Sequence, residues 1–133
     1  MIFSEPLLTK VLAQEKTVTR RPVKFETVDT GVAIERPCRY KRYASYAIQP
    51  VIEHGPGKGR GGKEVARPFV VRVDRELLGG GLDWSTSEAQ REGFGDWPTY
   101  REYWIALYGS YNPSQLVDRI EFELLPSPVG EAA

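Results

Sequence analysis

The sequence predicts an α+β domain with a short N-terminal helix, a small barrel-like sheet and two late helices before a final strand. Three observations lead there. The chain has 133 residues, the size of one domain, and no internal repeat. Apolar residues fall at helical spacing near the N-terminus and around 97–108, and alternate around 117–124. Clusters of Gly and Pro separate these segments.

The elements follow in order. Ser4 is a suitable N-cap and Pro6 suits a first turn. With Leu7, Leu8, Val11 and Leu12 forming one stripe, residues 5–14 read as an amphipathic helix. Thr17-Val-Thr is β-prone, and Pro22 argues against a long central strand there. Tyr43–Gln49 reads as a strand closed by Pro50, and Phe69–Val73 as another with Phe69, Val71 and Val73 on one face. Between them, Gly55-Pro-Gly-Lys-Gly-Arg-Gly-Gly-Lys63 is a glycine-rich loop. A helix opens with the capping box Ser85-x-x-Glu88 and ends at Gly93. The next opens near Asp96 or Trp97, takes Pro98 in its first turn and stops at Gly109. Its stripe of Trp97, Tyr100, Trp104 and Tyr108 reads as core, a base-stacking platform being the alternative. Val117, Ile120, Phe122 and Leu124, set against Arg119, Glu121 and Glu123, make the last strand.

Composition narrows the function classes. A hydrophobic fraction of 41% with 27% charged residues is that of a folded globular chain. The single cysteine, Cys38, permits no internal disulfide, and with the single histidine, His54, it excludes the usual Cys/His zinc sites. No metal or cofactor is expected. No apolar run reaches the ~20 residues of a membrane span, and the N-terminus does not read as a signal peptide. The expectation is a cytoplasmic protein with no membrane association. The formal net charge of zero conceals an asymmetry. Residues 1–75 carry fifteen Lys and Arg against eight Asp and Glu, whereas the remainder carries three against ten. Either a basic face attracts phosphates or the two halves neutralise each other.

Two phosphate-binding patterns in the glycine-rich loop fail on context. Gly57-x-Gly59-x-x-Gly62 matches a dinucleotide fingerprint, but the chain runs on through Arg67-Pro68 into a strand rather than a helix. Gly57-xxxx-Gly62-Lys63 is followed by Glu64, where a P-loop requires Ser or Thr. What remains is a basic loop, either a solvated hairpin tip or a clamp on a nucleic-acid backbone through Lys58, Arg60 and Lys63. Arg36, Arg39, Lys41 and Arg42 extend the same basic stretch and surround Cys38, whose pKa they could lower. Cys38 is read as an incidental thiol and His54 as a surface side chain.

The segment Lys16-Thr-Val-Thr-Arg-Arg21 concentrates a potential base, two hydroxyls and two guanidinium groups. Nearby guanidinium charge disfavours a protonated lysine, and a neutral lysine can take a proton from a hydroxyl. In an extended chain Lys16 and Thr19 would face opposite sides, so a bend is needed for them to meet. Alone, such a run reads as a charged strand edge.

The succession FSEPLLTKVLAQEKTVTRRPV, Tyr46-Ala-Ile-Gln-Pro50, Glu88-Ala-Gln-Arg-Glu-Gly-Phe94, Tyr103-Trp104, Tyr108-Gly109 and Arg119-Ile-Glu-Phe-Glu123 resembles the ASCH domain family, especially small bacterial and phage members. The resemblance covers nearly the whole chain in the right order. It implies a PUA-like barrel over residues 1–126 with a cleft beside the first helix, and a flexible tail over 127–133. The family's signature of lysine, hydroxyl or acid, then arginine falls on Lys16, Thr19 and Arg21. The glycine that usually precedes it is replaced by Gln14 or Glu15.

The resemblance implies binding of RNA, single-stranded nucleic acid or a nucleotide, with Arg20 and Arg21 joining the basic residues named above. One group that it resembles removes the acetyl group from N4-acetylcytidine. By that likeness Lys16 is the general base, Thr19 the nucleophile and Glu92 the completing acid of an amidohydrolase acting on a modified nucleoside. Other members imply a ribonuclease using the same cleft. The Arg36–Lys63 insertion departs from the compact amidohydrolases.

Overall fold

The clearest alternation in the sequence becomes the central strand. The computed structural model describes residues 1–52, 59–79 and 86–124. Among them the elements run β1 (Ile2–Phe3), α1 (Leu7–Leu12), β2 (Val18–Pro22), β3 (Phe25–Thr27), β4 (Ala33–Glu35), β5 (Gln49–Pro50), β6 (Pro68–Leu77), α2 (Thr86–Arg91), α3 (Trp97–Tyr108) and β7 (Leu116–Leu124). Strand β7 lies between β2 and β6, antiparallel to both. Ile120 and Phe122 are buried, as the alternation requires, and Val117 is buried on the opposite face in a separate cluster. Asp118, on the face of Ile120, and Arg119, on the face of Val117, are buried as well, because both faces of β7 are covered. Their charges are met there by Arg75 and by Glu88 of α2.

Strand β6 is longer than the sequence suggests, and its inward face differs. Val70 pairs with Phe122 but Arg72 with Glu121, so Val71 is an extra residue in a β-bulge. The bulge resets the alternation. Val70 therefore joins the core with the expected Val73, while the expected Phe69 and Val71 do not. The segment Tyr43–Gln49 is likewise not a regular strand: the left-handed backbone of Tyr43 (φ 65°) interrupts its start. Residues 45–51 instead bridge to β6 and the stretch before it at separate points, Ser45 to Phe69, Ile48 to Ala66 and Val51 to Gly61. β5 then pairs in parallel with β1. The result is a curled succession β1–β5–β6–β7–β2, which hydrogen bonds do not close into a barrel among the described residues. A separate hairpin, β3–β4, is exposed throughout.

Helix α1 is shorter than expected. Pro6, not Ser4, is its N-cap, and the Glu5 carboxylate takes the hydrogen bonds of the Thr9 amide and hydroxyl instead. Helix α3 follows the sequence closely. Asp96 caps it by accepting from the Thr99 amide at 2.9 Å, Pro98 sits in the first turn, and Gly109 ends it in the left-handed region. Its residues Tyr100 and Trp104 pack with Leu78 and Val117, while a larger cluster joins Phe3, Leu7, Val11, Ile48, Val70 and Phe122. The expected Ser85 cap, His54, Lys58 and the 127–133 tail lie outside the described residues. Among the described residues no helix is long and apolar enough to cross a membrane.

Candidate functional site

The end of α1 builds the site. The Gln14 amide donates to the Val11 carbonyl (3.0 Å) and the Glu15 amide to the Lys10 carbonyl (2.9 Å), the two bonds of a Schellman motif. Gln14 occupies its left-handed position with φ 62°. The chain reverses there, and the Lys16 amide adds a third bond to the Lys10 carbonyl. This is the bend that the sequence required before Lys16 and Thr19 could share a pocket. Thr17 is then fixed from both sides, its amide on the Arg91 carbonyl and its carbonyl on the Phe122 amide.

Lys16, Thr19 and Glu92 line one cavity of about 270 Å³ between α1, β2 and α3. All three are buried, at 1%, 6% and 2% exposure. Glu92 follows α2, and Gly93 after it holds φ 98°. A Cβ at Gly93 would stand 3.2 Å from Leu7 Cδ2 and 3.4 Å from Lys16 Cβ, so the backbone approaches Lys16 as only glycine allows.

The ammonium of Lys16 donates to the Val18 carbonyl (2.7 Å), the Glu92 carbonyl (2.7 Å) and Glu92 Oε1 (2.8 Å). Three acceptors match its three protons. Burial pulls its pKa down; Glu92 opposes that, while Arg21 and Arg20 add to it. The other oxygen of Glu92 accepts from Arg20 at 3.0 Å. Arg20 also meets Glu88 (2.6 Å) and Glu76 (3.1 Å), so its charge is committed within the protein. Glu88 in turn binds Arg119 at 2.7 Å. Burial would raise the Glu88 pKa, but the bonds from Arg119 and Arg20 outweigh it and bring it to about 2.

Thr19 differs from its neighbours: its hydroxyl has no hydrogen-bond partner among the described residues, Lys16 and Glu92 included. Arg21 is half-buried beside it, over the Phe3 ring at 5.7 Å, with no carboxylate in ion-pair range among the described residues. Opposite, Tyr100, Tyr103, Trp104 and Tyr108 of α3 form an aromatic wall. Burial raises the pKa of all three tyrosines, so their phenols stay neutral. The aromatic stripe thus serves both the core and the cavity.

The remaining basic residues divide. Arg39 and Lys41 line a second cavity that Arg21 also borders, together with Arg36 and with Lys24, which the sequence did not single out. Arg42 lies over Tyr43 (4.3 Å), its Nε bonded to the Val71 carbonyl. Arg60 and Lys63 are exposed on the arm that carries Gly61, partner of the cavity-lining Val51. Cys38 reverses expectation: burial, reinforced by Asp118, pushes its thiol pKa up despite the arginines around it. No group of three or more His, Cys, Asp or Glu among the described residues could hold a metal ion.

This arrangement of sheet and helices has solved counterparts. An ASCH domain from Lactobacillus crispatus superposes with a TM-score of 0.53 at 13% identity, over 87% of this chain and 68% of the other. A DUF984 protein from Enterococcus faecalis gives 0.52 at 17% identity, over 88% and 68%. The chain has an ASCH-like fold. No family model matches the sequence, and no curated protein matches it. Within the ASCH-like fold, the cavity lies between the first helix and the last, against the edge strand β2.

Proposed function

We propose that this protein is a nucleotide- or RNA-binding domain whose cavity receives one nucleoside unit, with the curled sheet serving as a PUA-like barrel. The observation that carries the reading is the placement of the Thr19 hydroxyl, without a hydrogen-bond partner among the described residues, and of Arg21, without a carboxylate in ion-pair range among them, opposite an aromatic wall on α3. At about 270 Å³ the cavity is at the small end of ligand sites. It suits one base and its sugar, not a run of strand. A base stacked on an aromatic side chain gains about 1–3 kcal/mol, and the hydroxyl and neutral phenols are suited to reading its polar edge.

Calorimetric titration with cytidine, cytidine monophosphate and a short single-stranded RNA tests the proposal. Saturable binding that Thr19→Val weakens is expected. Absence of binding to all three ligands at millimolar concentration would exclude it.

A second reading is hydrolysis, favoured by the convergence of Lys16, Thr19 and Glu92 on one cavity. Thr19 Oγ would attack the acetyl carbonyl of N4-acetylcytidine while neutral Lys16 takes the hydroxyl proton. That proton passes to the departing exocyclic nitrogen as the C–N bond breaks, and water then releases acetate from the acylated threonine. Lys16 must first lose a proton and leave one of its three acceptors. Binding therefore ranks first. Release of cytidine by the wild type, absent in Lys16→Ala and Thr19→Ala, would reverse the order.

A further inference from the structure

A second cavity lies next to the first, and Arg21 forms part of the wall of both. It has a volume of about 490 Å³ and is lined by Lys24, Arg36, Arg39 and Lys41 as well as Arg21. These residues come from the end of β2, the turn into β3 and the segment after β4. The carboxylate on its wall, Asp118, is held by both Arg75 Nε (2.9 Å) and Arg75 Nη2 (3.0 Å), so its charge is already matched. Among the described residues Arg21, Lys24, Arg39 and Lys41 have no carboxylate in ion-pair range. Arg36 reaches only Glu26, at 3.8 Å, with both side chains exposed.

The surroundings do not supply the missing negative charge. The Cys38 thiol on the wall stays protonated. The segment is held by its backbone: the Arg36 amide donates to the Lys24 carbonyl (2.8 Å), and the Arg36 carbonyl accepts from Arg75 (2.8 Å). Four cations without a carboxylate in ion-pair range among the described residues, and a fifth, Arg36, in loose contact with Glu26, thus border one concavity. Like charges so placed repel one another and concentrate positive potential in the recess. Arginine and lysine together match phosphate, the first by bidentate hydrogen bonds and the second as a point charge.

We propose that this second cavity is a phosphate site, so that the ligand is a phosphorylated nucleotide or an RNA strand rather than a free nucleoside. The inference rests on the reading of the first cavity as a nucleoside pocket. Arg21, over Phe3 at the shared wall, links base and phosphate: the base enters beside Thr19 and the phosphate turns towards Arg39 and Lys41. This also gives the positive N-terminal half of the sequence a physical destination.

The test compares cytidine, cytidine monophosphate, inorganic phosphate and a single-stranded RNA of about ten nucleotides, using wild type and the triple variant Lys24→Gln/Arg39→Gln/Lys41→Gln. All three substituted side chains are exposed, so the variant should fold, which its circular dichroism and melting curve will check. The wild type should bind the monophosphate at least about tenfold more tightly than cytidine. The triple variant should lose that advantage and keep its cytidine affinity. RNA tighter than the monophosphate, with a salt slope reduced by about 2 in the variant, identifies a strand as the ligand. Equal affinity for RNA and monophosphate identifies a mononucleotide, and inorganic phosphate should compete in either case. Equal affinity for cytidine and the monophosphate, or an advantage that the variant retains, overturns the phosphate site and leaves the nucleoside pocket standing. Phosphate-dependent binding without any cytidine binding does the reverse. No binding to any ligand removes both.

Discussion

Lys16 Nζ lies 2.8 Å from Glu92 Oε1, a contact across 76 residues of sequence, with side-chain exposures of 1% and 2%. Burying two charges costs several kcal/mol per ion, and their attraction offsets this only when the remaining hydrogen bonds are made. Here they are made: two carbonyls complete the lysine, and Arg20 completes the carboxylate. The pair ties the start of β2 to the end of α2 and forms the floor of the cavity.

Removing one partner should therefore cost more than removing both. Breaking a buried pair typically costs about 3–5 kcal/mol. Lys16→Met should fall at the low end, about 3 kcal/mol, because Arg20 still faces Glu92. Adding Glu92→Gln to Lys16→Met should recover part of the loss, with a coupling of at least about 1 kcal/mol. Urea denaturation of the two single variants and the double variant measures this, and additive losses would contradict it.

Thr19 should behave in the opposite way. Its hydroxyl has no partner among the described residues, so Thr19→Val removes none of their hydrogen bonds, and β-branching suits the strand. Stability should change by less than about 0.5 kcal/mol. Nucleotide affinity should drop about tenfold, equivalent to roughly 1.4 kcal/mol. A large shift in the melting temperature would mean that the hydroxyl supports the fold.

Gln14 holds the left-handed position of the Schellman motif at φ 62°. A left-handed residue other than glycine costs about 1–2 kcal/mol, and glycine would give back roughly half of that through a freer unfolded chain. Gln14→Gly should stabilise the protein by about 0.5 kcal/mol. The backbone turn that delivers Lys16 is unchanged by the substitution, so ligand affinity should not move. A melting curve and one titration check both halves.

How much of this was legible depended on the range of the interaction. Helix α3 could be read end to end because Asp96, Pro98 and Gly109 act on their own few residues. Strand β7 was legible for the same reason. The inward face of β6 was not, since one extra residue at Val71 is set by pairing with β7 and leaves no local mark. Lys16, Thr19 and Glu92 came together on a family resemblance; spacing alone places Lys16 and Thr19 on opposite sides of a strand. The expectation that Arg20 binds nucleic acid did not include its ion pairs with Glu76, Glu88 and Glu92, which tertiary folding brings to it. Lys24 was missed because it flanks the exposed β3–β4 hairpin, and no sequence pattern announced that hairpin.

The same network makes acid stability depend on Glu88. Burial alone would raise its pKa above the ordinary 4.5, but bonds from Arg119 and Arg20 lower it to about 2. In the unfolded chain those bonds are gone and the ordinary value returns. Between about 4.5 and about 2 the unfolded state therefore binds more protons than the folded state. Glu88 contributes stability that is fully present above the upper value and is lost as pH falls through this window. Glu88→Gln should destabilise the protein at pH 7, since Arg20 and Arg119 lose a shared anion. It should also flatten the decline in stability on acidification, so the wild-type and variant curves converge towards about pH 2. Denaturation midpoints measured from neutral pH downwards test this. Parallel curves for the two proteins would show that Glu88 titrates at its unfolded value and that the two arginines do not hold it.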